Sequence, residues 1–510
     1  MAATRRIAAT LCWASAAFVL LRATRYYFHL GNVQRHHVEA ASFVLVLLLI
    51  VVFFAPIDVS RDAPAADPLP PRPPALPAAA ESALFVAAAL LLYWPVLFTG
   101  LFADDFVLLG AAQQGRFTVW SELFRPTLFV VWRGWSAVAS QPAMLRHGTN
   151  VVLHGVNAFL VGRIAGAAGL PRWAALSSGA LFTCYPAVVE PVAWPSGIQD
   201  VLMATCVLSV VLLGITGTPS PRRILFITLV LVAGMLTKET AIAAPFLLLA
   251  LGFVRSVRRN AWTAAGACAV IVAVFLTVRF SVLPLPASYS SAPTRYAVKE
   301  LLVRPYATLV VPFRASETLA HPALGAVSVA IVVLLLTGAI AGGRWRDRTA
   351  ALAFAGAVIV LGAVAPVLTY FYVNADLLGS RYLYLALAGW TLLLGSLATG
   401  ISPRPGVAVL PMLCLAVIWV PATREHVTQW RDAATLRERI LAGAAAASDP
   451  RCVSWIVSGL PETFEGVPLF VNGFPEVAGP LLGGAIRLSP AQAGNGECQL
   501  TWTGDTFRRD

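Results

Sequence analysis

Charge is scarce in this 510-residue chain: Asp, Glu, Lys and Arg make up 12% of it, against about 25% in soluble domains. Apolar residues reach 58%, and a single soluble core cannot hide that much apolar surface. Cysteine is sparse and carries no metal spacing. No C-x-x-C pair occurs, which excludes the common structural zinc sites. Cys12, Cys184, Cys206, Cys268 and Cys414 fall in apolar segments, where a free thiol packs as a small hydrophobe. The phosphate loop G-x-x-x-x-G-K-[ST], the G-x-S-x-G elbow and the H-E-x-x-H helix are all missing, which argues against ATP drive, a common esterase and a zinc protease. Alternating strands of about ten residues are also missing, so a membrane barrel is excluded. The net charge of +12 is dispersed over short loops rather than gathered in a basic stripe with aromatics, so nucleic acid is not a partner.

What the chain does have is repeated apolar runs long enough to cross about 30 Å of hydrocarbon as helices. They lie near residues 7–21 and 40–56, and then 82–100, 149–168, 174–189, 198–217, 224–237, 240–254, 262–280, 323–341, 349–371, 382–399 and 407–421. The expected fold is an all-α polytopic bundle of about thirteen transmembrane helices. Residues 1–56 read as an N-terminal hairpin. Residues 57–81 read as a linker, extended because Pro64, Pro68, Pro70, Pro71, Pro73, Pro74 and Pro77 forbid a helix. Residues 82–421 form the main membrane body and 422–510 an external C-terminal domain. Leu301–Phe313 is too short to span and holds Pro305 and Pro312, so it reads as interfacial or re-entrant. Within the C-terminal domain, Arg424–Leu441 has helical periodicity and suits an interfacial helix. Short β-like runs at 452–457, 467–471 and 499–502 then alternate with turn residues, giving a small α/β or β-rich unit.

Arginines set the orientation. Arg172, Arg222, Arg223, Arg255, Arg258, Arg259, Arg344, Arg346, Arg348 and Arg404 occupy alternate loops, and short Arg-rich loops stay cytoplasmic. The opposite loops carry Asp104, Asp105, Glu190, Asp200, Lys238, Glu239, Asp376 and Arg381. Polar groups therefore gather at the external mouths of the helices rather than at midplane, where a transporter needs them. An external C-terminal tail would sit in an oxidising compartment and allow Cys452 and Cys498 to pair.

The sharpest local feature is Phe102-Ala103-Asp104-Asp105-Phe106, directly after an apolar helix. Two adjacent carboxylates between apolar neighbours cannot both ionise cheaply. One should have a raised pKa, which suits general-base work. Trp194 beside Glu190 and Asp200 can stack on a sugar ring while the acids bind hydroxyls.

The order of motifs resembles the GT-C glycosyltransferases, and within them the protein O-mannosyltransferase branch, including its transmembrane and tetratricopeptide-repeat type. Arg125-Pro126 follows the acidic pair in the first loop, and Leu153-His154 with Asn157 lies on the next helix. Phe182-Thr183-Cys184-Tyr185-Pro186 through Glu190, Val192, Ala193 and Trp194 is similar to the family's Phe-x-x-His-Pro-x-x-x-Glu-x-Val-Ala-Trp. Leu236-Thr237-Lys238-Glu239 with Pro245 resembles its Lys-Glu motif, and Arg381-Tyr382-Leu383-Tyr384-Leu385 its Arg-Tyr-Leu-Tyr-Leu. The resemblance covers roughly residues 82 to 440. Tyr185 stands where the family has histidine and Ala386 where it has proline, and no tetratricopeptide repeats follow.

The resemblance implies a membrane enzyme of the bacterial cytoplasmic membrane, with its active site and C-terminus on the periplasmic side. It would transfer a hexosyl or mannosyl group from a polyprenyl-phosphate sugar to a protein, glycan or lipid hydroxyl, with inversion. Asp104 takes the role of general base, as the first acid of the pair does in that family, and Asp105 positions the acceptor or Asp104. Arg381, Lys238 and Tyr382 are the candidates for the donor phosphate, because a guanidinium fork matches phosphate oxygens and tyrosines suit the headgroup level. Arg125, His154, Glu190, Trp194, Asp200, Glu239 and Tyr384 are candidate substrate-binding or supporting residues, with Glu239 also placed to pair with its neighbour Lys238. Nothing in the sequence requires a cofactor or a divalent metal. Partners are the lipid-linked donor, membrane lipids and the acceptor. Two other classes compete: a transporter or flippase of lipid-linked sugars, which needs two related halves, and a surface-glycan polymerase or ligase, which needs clustered external arginines.

Overall fold

The computed structural model describes residues 77–117, 119, 124–138, 142–283, 298–341, 347–365, 373–402, 404–488 and 497–509. The expected N-terminal hairpin and nearly all of the proline-rich linker lie outside the described residues. Every apolar run of the main body holds a helix: α1 (Ala78–Tyr93), α4 (Pro142–Ala168), α5 (Arg172–Thr183), α7 (Ile198–Ile215), α8 (Pro221–Thr237), α9 (Ala244–Leu251), α10 (Arg258–Val282), α13 (Pro322–Ala341), α14 (Asp347–Val364), α15 (Tyr384–Ile401) and α16 (Pro405–Ala446). The remaining helices are short: α2 (Asp104–Gln113), α3 (Pro126–Val138), α6 (Val189–Ala193), α11 (Val298–Val310), α12 (Ala315–Ala320) and α17 (Phe474–Leu482).

Seven of the described helices are long and apolar enough to cross a membrane, and the chain is an integral membrane protein. Of the roughly thirteen expected crossings, the first two lie outside the described residues. The runs on α5, α8 and α9 form helices of 12, 17 and 8 residues, and the run on α14 an 18-residue helix at the edge of the described residues; α5 rises only about 18 Å, well short of the hydrocarbon thickness. These pieces complete the bundle beside longer helices.

Helix α15 is the hub. Its membrane window is 89% buried, which is why it is apolar all round and has no polar stripe. It packs along α14, and Gly356 and Gly389 make that close approach feasible. A Cβ on Gly356 would lie 2.8 Å from the Gly389 carbonyl oxygen. In lipid such small residues at crossings replace the missing hydrophobic drive with close backbone contact.

Helix α16 runs unbroken for 42 residues through Pro411 and Pro421, about 63 Å at 1.5 Å per residue and twice the hydrocarbon thickness. The expected boundary between residues 421 and 422 thus falls inside one helix. Arg424–Leu441 is the continuation of that helix beyond its apolar run, and no glycine or further proline interrupts it. Its inner face buries Val427, Trp430, Arg437 and Ile440. The unit beyond it is built on β1 (Ser454–Ser458), β4 (Ala485–Leu488), β5 (Glu497–Trp502) and β6 (Phe507–Arg509), in the order β4-β1-β5-β6. Strand β1 is parallel to β4 and β5, and β5 is antiparallel to β6. A two-strand ribbon, β2 (Thr463–Phe464) with β3 (Val467–Pro468), precedes α17. Cys452 and Cys498 form a disulfide, as the sequence suggested, with Cα atoms 5.7 Å apart. The re-entrant candidate at 301–313 is mainly α11, which continues through Pro305, with Tyr306, Ala307, Leu309 and Val310 buried.

Candidate active site

The acidic pair sits on a tight turn between α1 and α2. Ala103 adopts φ +41°, a left-handed conformation that a residue with a Cβ enters only under constraint. The constraint is visible. The Asp105 N–H donates to the Phe102 carbonyl at 2.8 Å, and the Ala103 N–H donates to the Leu469 carbonyl of the C-terminal unit at 3.1 Å. The two carboxylates then part company. Asp105 is fully buried. Its Oδ2 accepts the Phe102 N–H at 2.8 Å, and its Oδ1 accepts both the N–H of Ser196, at 2.8 Å, and the Ser196 hydroxyl. Burial pushes the Asp105 carboxyl up to about 7, against the pull of Ser196 and Phe102 and with a small push from Asp104. The raised acid expected from the sequence is therefore Asp105. Asp104 is half-buried. Its Oδ1 accepts the side-chain amide of Asn472 at 2.6 Å, and no described residue engages Oδ2.

The cations form a second cluster. Arg381 Nη1 meets Glu190 Oε1 at 2.6 Å, and the Arg381 N–H donates to Glu190 Oε2 at 3.0 Å. Its guanidinium lies 5.0 Å over both the Trp194 and the Tyr382 rings. Lys238 Nζ bonds Asp200 Oδ1 at 2.5 Å and lies 4.7 Å over the other cation's aromatic partner, Tyr382. Tyr382 is thus shared by two positive charges, an arrangement the negative ring face favours. Burial pushes the Lys238 ammonium down to about 8, although Asp200 pulls the other way. Arg125 pairs with Glu239 at 2.7 Å and donates to Gln199. The pairing of Lys238 with its neighbour Glu239 that the sequence suggested does not form; Lys238 takes Asp200 and Glu239 takes Arg125. Lys238 is extended, with φ −158° and ψ 136°, so successive side chains point to opposite sides.

One segment joins the two clusters. Residues 190–200 contain Glu190 and Asp200, which hold Arg381 and Lys238, and Ser196, which grips Asp105. Trp194 adds a link by donating from Nε1 to the Phe102 carbonyl at 3.3 Å. This segment breaks into 3-10 and short α turns, which leaves carbonyls without helical partners. A polar stripe on α4, at positions 147, 150, 154 and 157, meets them. His147 lies 2.8 Å from the Ala193 carbonyl and 2.7 Å from that of Gly100. Asn150 donates to the Trp194 carbonyl at 2.7 Å, and Asn157 to that of Val201 at 3.0 Å. His154 donates from Nε2 to the Thr183 carbonyl at 3.0 Å, so its Nδ1 accepts the Tyr384 hydroxyl at 2.8 Å.

The structure therefore brings together Asp104, Asp105, Arg125, Glu190, Trp194, Asp200, Lys238, Glu239, Arg381 and Tyr382. It buries His154 and Tyr384 in a hydrogen-bonded scaffold with Asn157 and the Thr183 carbonyl. Ser196, His147, Asn150, Gln199 and Asn472 were missed. The 3-4-3 spacing of His147, Asn150, His154 and Asn157 was a usable signal, since it marks one helix face. Among the described residues no cluster of His, Cys, Asp or Glu is placed to hold a metal ion.

No protein-family model and no curated protein sequence matches the chain. Solved structures show a distant likeness. The oligosaccharyltransferase of Archaeoglobus fulgidus, crystallised with zinc and sulfate, aligns with a TM-score of 0.43 and 12% identity over 81% of this chain and 62% of its own. The archaeal oligosaccharyltransferase AglB from Archaeoglobus fulgidus, in complex with an inhibitory peptide and a dolichol-phosphate, gives 0.43 and 11% over 82% and 65%. ArnT from Cupriavidus metallidurans, bound to undecaprenyl phosphate, gives 0.33 and 16% over 80% and 86%. The chain spans less than two thirds of the length of either archaeal structure.

Proposed function

We propose that the chain is a GT-C-type membrane glycosyltransferase that moves a sugar from a polyprenyl-phosphate carrier to an acceptor hydroxyl at the external face of the membrane. The observation that carries this reading is the shared segment 190–200, which binds the acidic turn through Ser196 and the cation–aromatic cluster through Glu190, Trp194 and Asp200. Transfer needs a base beside an acceptor and positive charge beside a departing phosphate, held at fixed separation; a common backbone segment provides that.

In this reading Asp104 is the base. No described residue engages its Oδ2, whereas both oxygens of Asp105 are occupied by donors, so Asp105 is the brace that fixes the turn. The Asp104 carboxylate takes the acceptor's proton as the acceptor oxygen bonds to the anomeric carbon. The bond from that carbon to the lipid phosphate breaks with its electron pair on the phosphate oxygen, and attack opposite the leaving group inverts the centre. Arg381 and Lys238, spaced by the Tyr382 ring, meet the phosphate charge. Trp194, buried beneath the Arg381 guanidinium, holds that cation in place rather than offering its ring to the sugar. The orientation with Arg172, Arg222, Arg223 and Arg404 in the cytoplasm, and the C-terminal unit outside, belongs to the same proposal.

The test is release of polyprenyl phosphate from a panel of labelled lipid-linked sugars by the purified protein. Asp104→Asn should cut turnover at least about 10²-fold with donor binding retained. Arg381→Lys keeps the charge but loses the fork, and should raise KM for the donor more than it lowers kcat. Wild-type turnover by Asp104→Asn would remove the basis of the mechanism.

A further inference from the structure

We infer that the C-terminal unit is a working wall of the active site and that Asn472 is a positioning residue for the base; this rests on the reading of Asp104 given above. The hydrogen bond from Asn472 Nδ2 to Asp104 Oδ1, 2.6 Å, joins residues 368 positions apart in the chain. It is not an isolated contact. Gly473, at φ +86°, lies so close to the acidic turn that any Cβ there would collide with the Ala103 carbonyl oxygen. The Leu469 carbonyl takes the Ala103 N–H from the same turn. Gly466, at φ +77°, makes a similar approach to the Asp376 carbonyl oxygen in the loop that leads to Arg381. The stretch 466–473 therefore touches both the loop carrying the base and the loop carrying the phosphate cation. Behind it, Arg437 of α16 donates to the Leu101 carbonyl at 2.5 Å and lies 4.8 Å over the Phe102 ring, which packs edge-on against Trp430.

A donor on Oδ1 holds the carboxylate plane, so Oδ2, which no described residue engages, is presented in one direction. The acceptor must then approach beside the 466–473 stretch, which makes that stretch a boundary of the acceptor site.

Asn472 is exposed, so its replacement should leave the fold intact. Asn472→Ala removes the donor, and Asn472→Asp keeps the shape while replacing the donor with a like charge. The experiment is steady-state kinetics of sugar transfer by the full chain, with acceptor and lipid donor varied separately. Asn472→Ala should lower kcat about tenfold and Asn472→Asp further, with KM for the lipid donor and the melting temperature unchanged in both. A merely structural role would lower the melting temperature or change kcat and donor KM together. If Asp104→Asn is inactive while both Asn472 variants keep the wild-type kcat, the positioning role is wrong and the transferase reading stands. If Asp104→Asn itself retains turnover, the failure lies in that reading instead.

Discussion

The pair Lys238–Asp200 offers the most demanding test of the site's construction. Its Nζ–Oδ1 distance is 2.5 Å, and the side chains are 6% and 3% exposed. Asp200 Oδ2 is buried without a hydrogen-bond partner among the described residues, so the lysine is what compensates this carboxylate. Lys238→Met strands the acid, and loss of one partner of a buried pair costs about 3–5 kcal/mol. Asp200→Asn should cost less. Burial already holds the lysine near 8, and without the aspartate it can shed its proton near neutral pH rather than remain a buried charge. Lys238→Met with Asp200→Leu leaves neither charge, and an apolar replacement of a buried pair is often neutral for stability. The order of unfolding stability in detergent should therefore be wild type and double variant highest, Asp200→Asn between, and Lys238→Met lowest, with a coupling energy of about 2–3 kcal/mol in the cycle. Donor affinity should follow a different order. The double variant is folded but lacks the ammonium over Tyr382, so its KM for the lipid-phosphate sugar stays raised. If Lys238→Met loses less than about 1 kcal/mol, the buried-pair argument is refuted. If the double variant recovers donor affinity together with stability, Lys238 is scaffold and the phosphate is met elsewhere.

Two further outcomes follow from the geometry. Asp105 ionises near 3.8 in the unfolded chain and near 7 in the folded one. The folded state thus holds an extra proton between those values, and stability should fall as pH rises through that window and level off above it. The full span is worth about 4 kcal/mol at 1.36 kcal/mol per unit; melting in detergent from pH 4 to pH 8 should show the slope, and Asp105→Asn should flatten it. For orientation, Asp505→Cys, at a side chain 90% exposed, should react with an impermeant thiol reagent added outside intact cells, whereas Gly406→Cys should be protected; equal labelling would overturn the topology drawn from the arginine loops.

The helices were legible in the sequence because the signal for them is local. A run of apolar residues either reaches the hydrocarbon thickness or does not, and each run from residue 82 to 421 holds a helix over its described residues. Lengths were less legible, because irregular turns at 186–188 and 239–243 take residues at the ends of runs that composition alone assigns to continuous spans. The identity of the site's charged residues was also readable, since ionisable groups at helix mouths in an apolar chain stand out. Their partners were not. Lys238 reaches Asp200 across 38 residues while its neighbour Glu239 turns to Arg125, and only the extended backbone at Lys238 explains the exchange.

The sharpest case is the acidic pair. The sequence offers two equivalent carboxylates, and the expectation that one of them is raised follows from their adjacency. Which one is raised depends on Ser196 and on the depth of the turn, and which one remains open depends on Asn472, from a unit at the far end of the chain. In the proposed reading, a base and a brace with the same side chain are told apart by their donors. Asp105 has both oxygens filled, from its own turn and from the 190–200 segment. Asp104 has one oxygen filled, from the C-terminal unit, and one that no described residue engages. The division of labour within Asp104-Asp105 is therefore set by tertiary structure, and the segment that sets it for Asp105 also fixes the distance to Arg381 and Lys238.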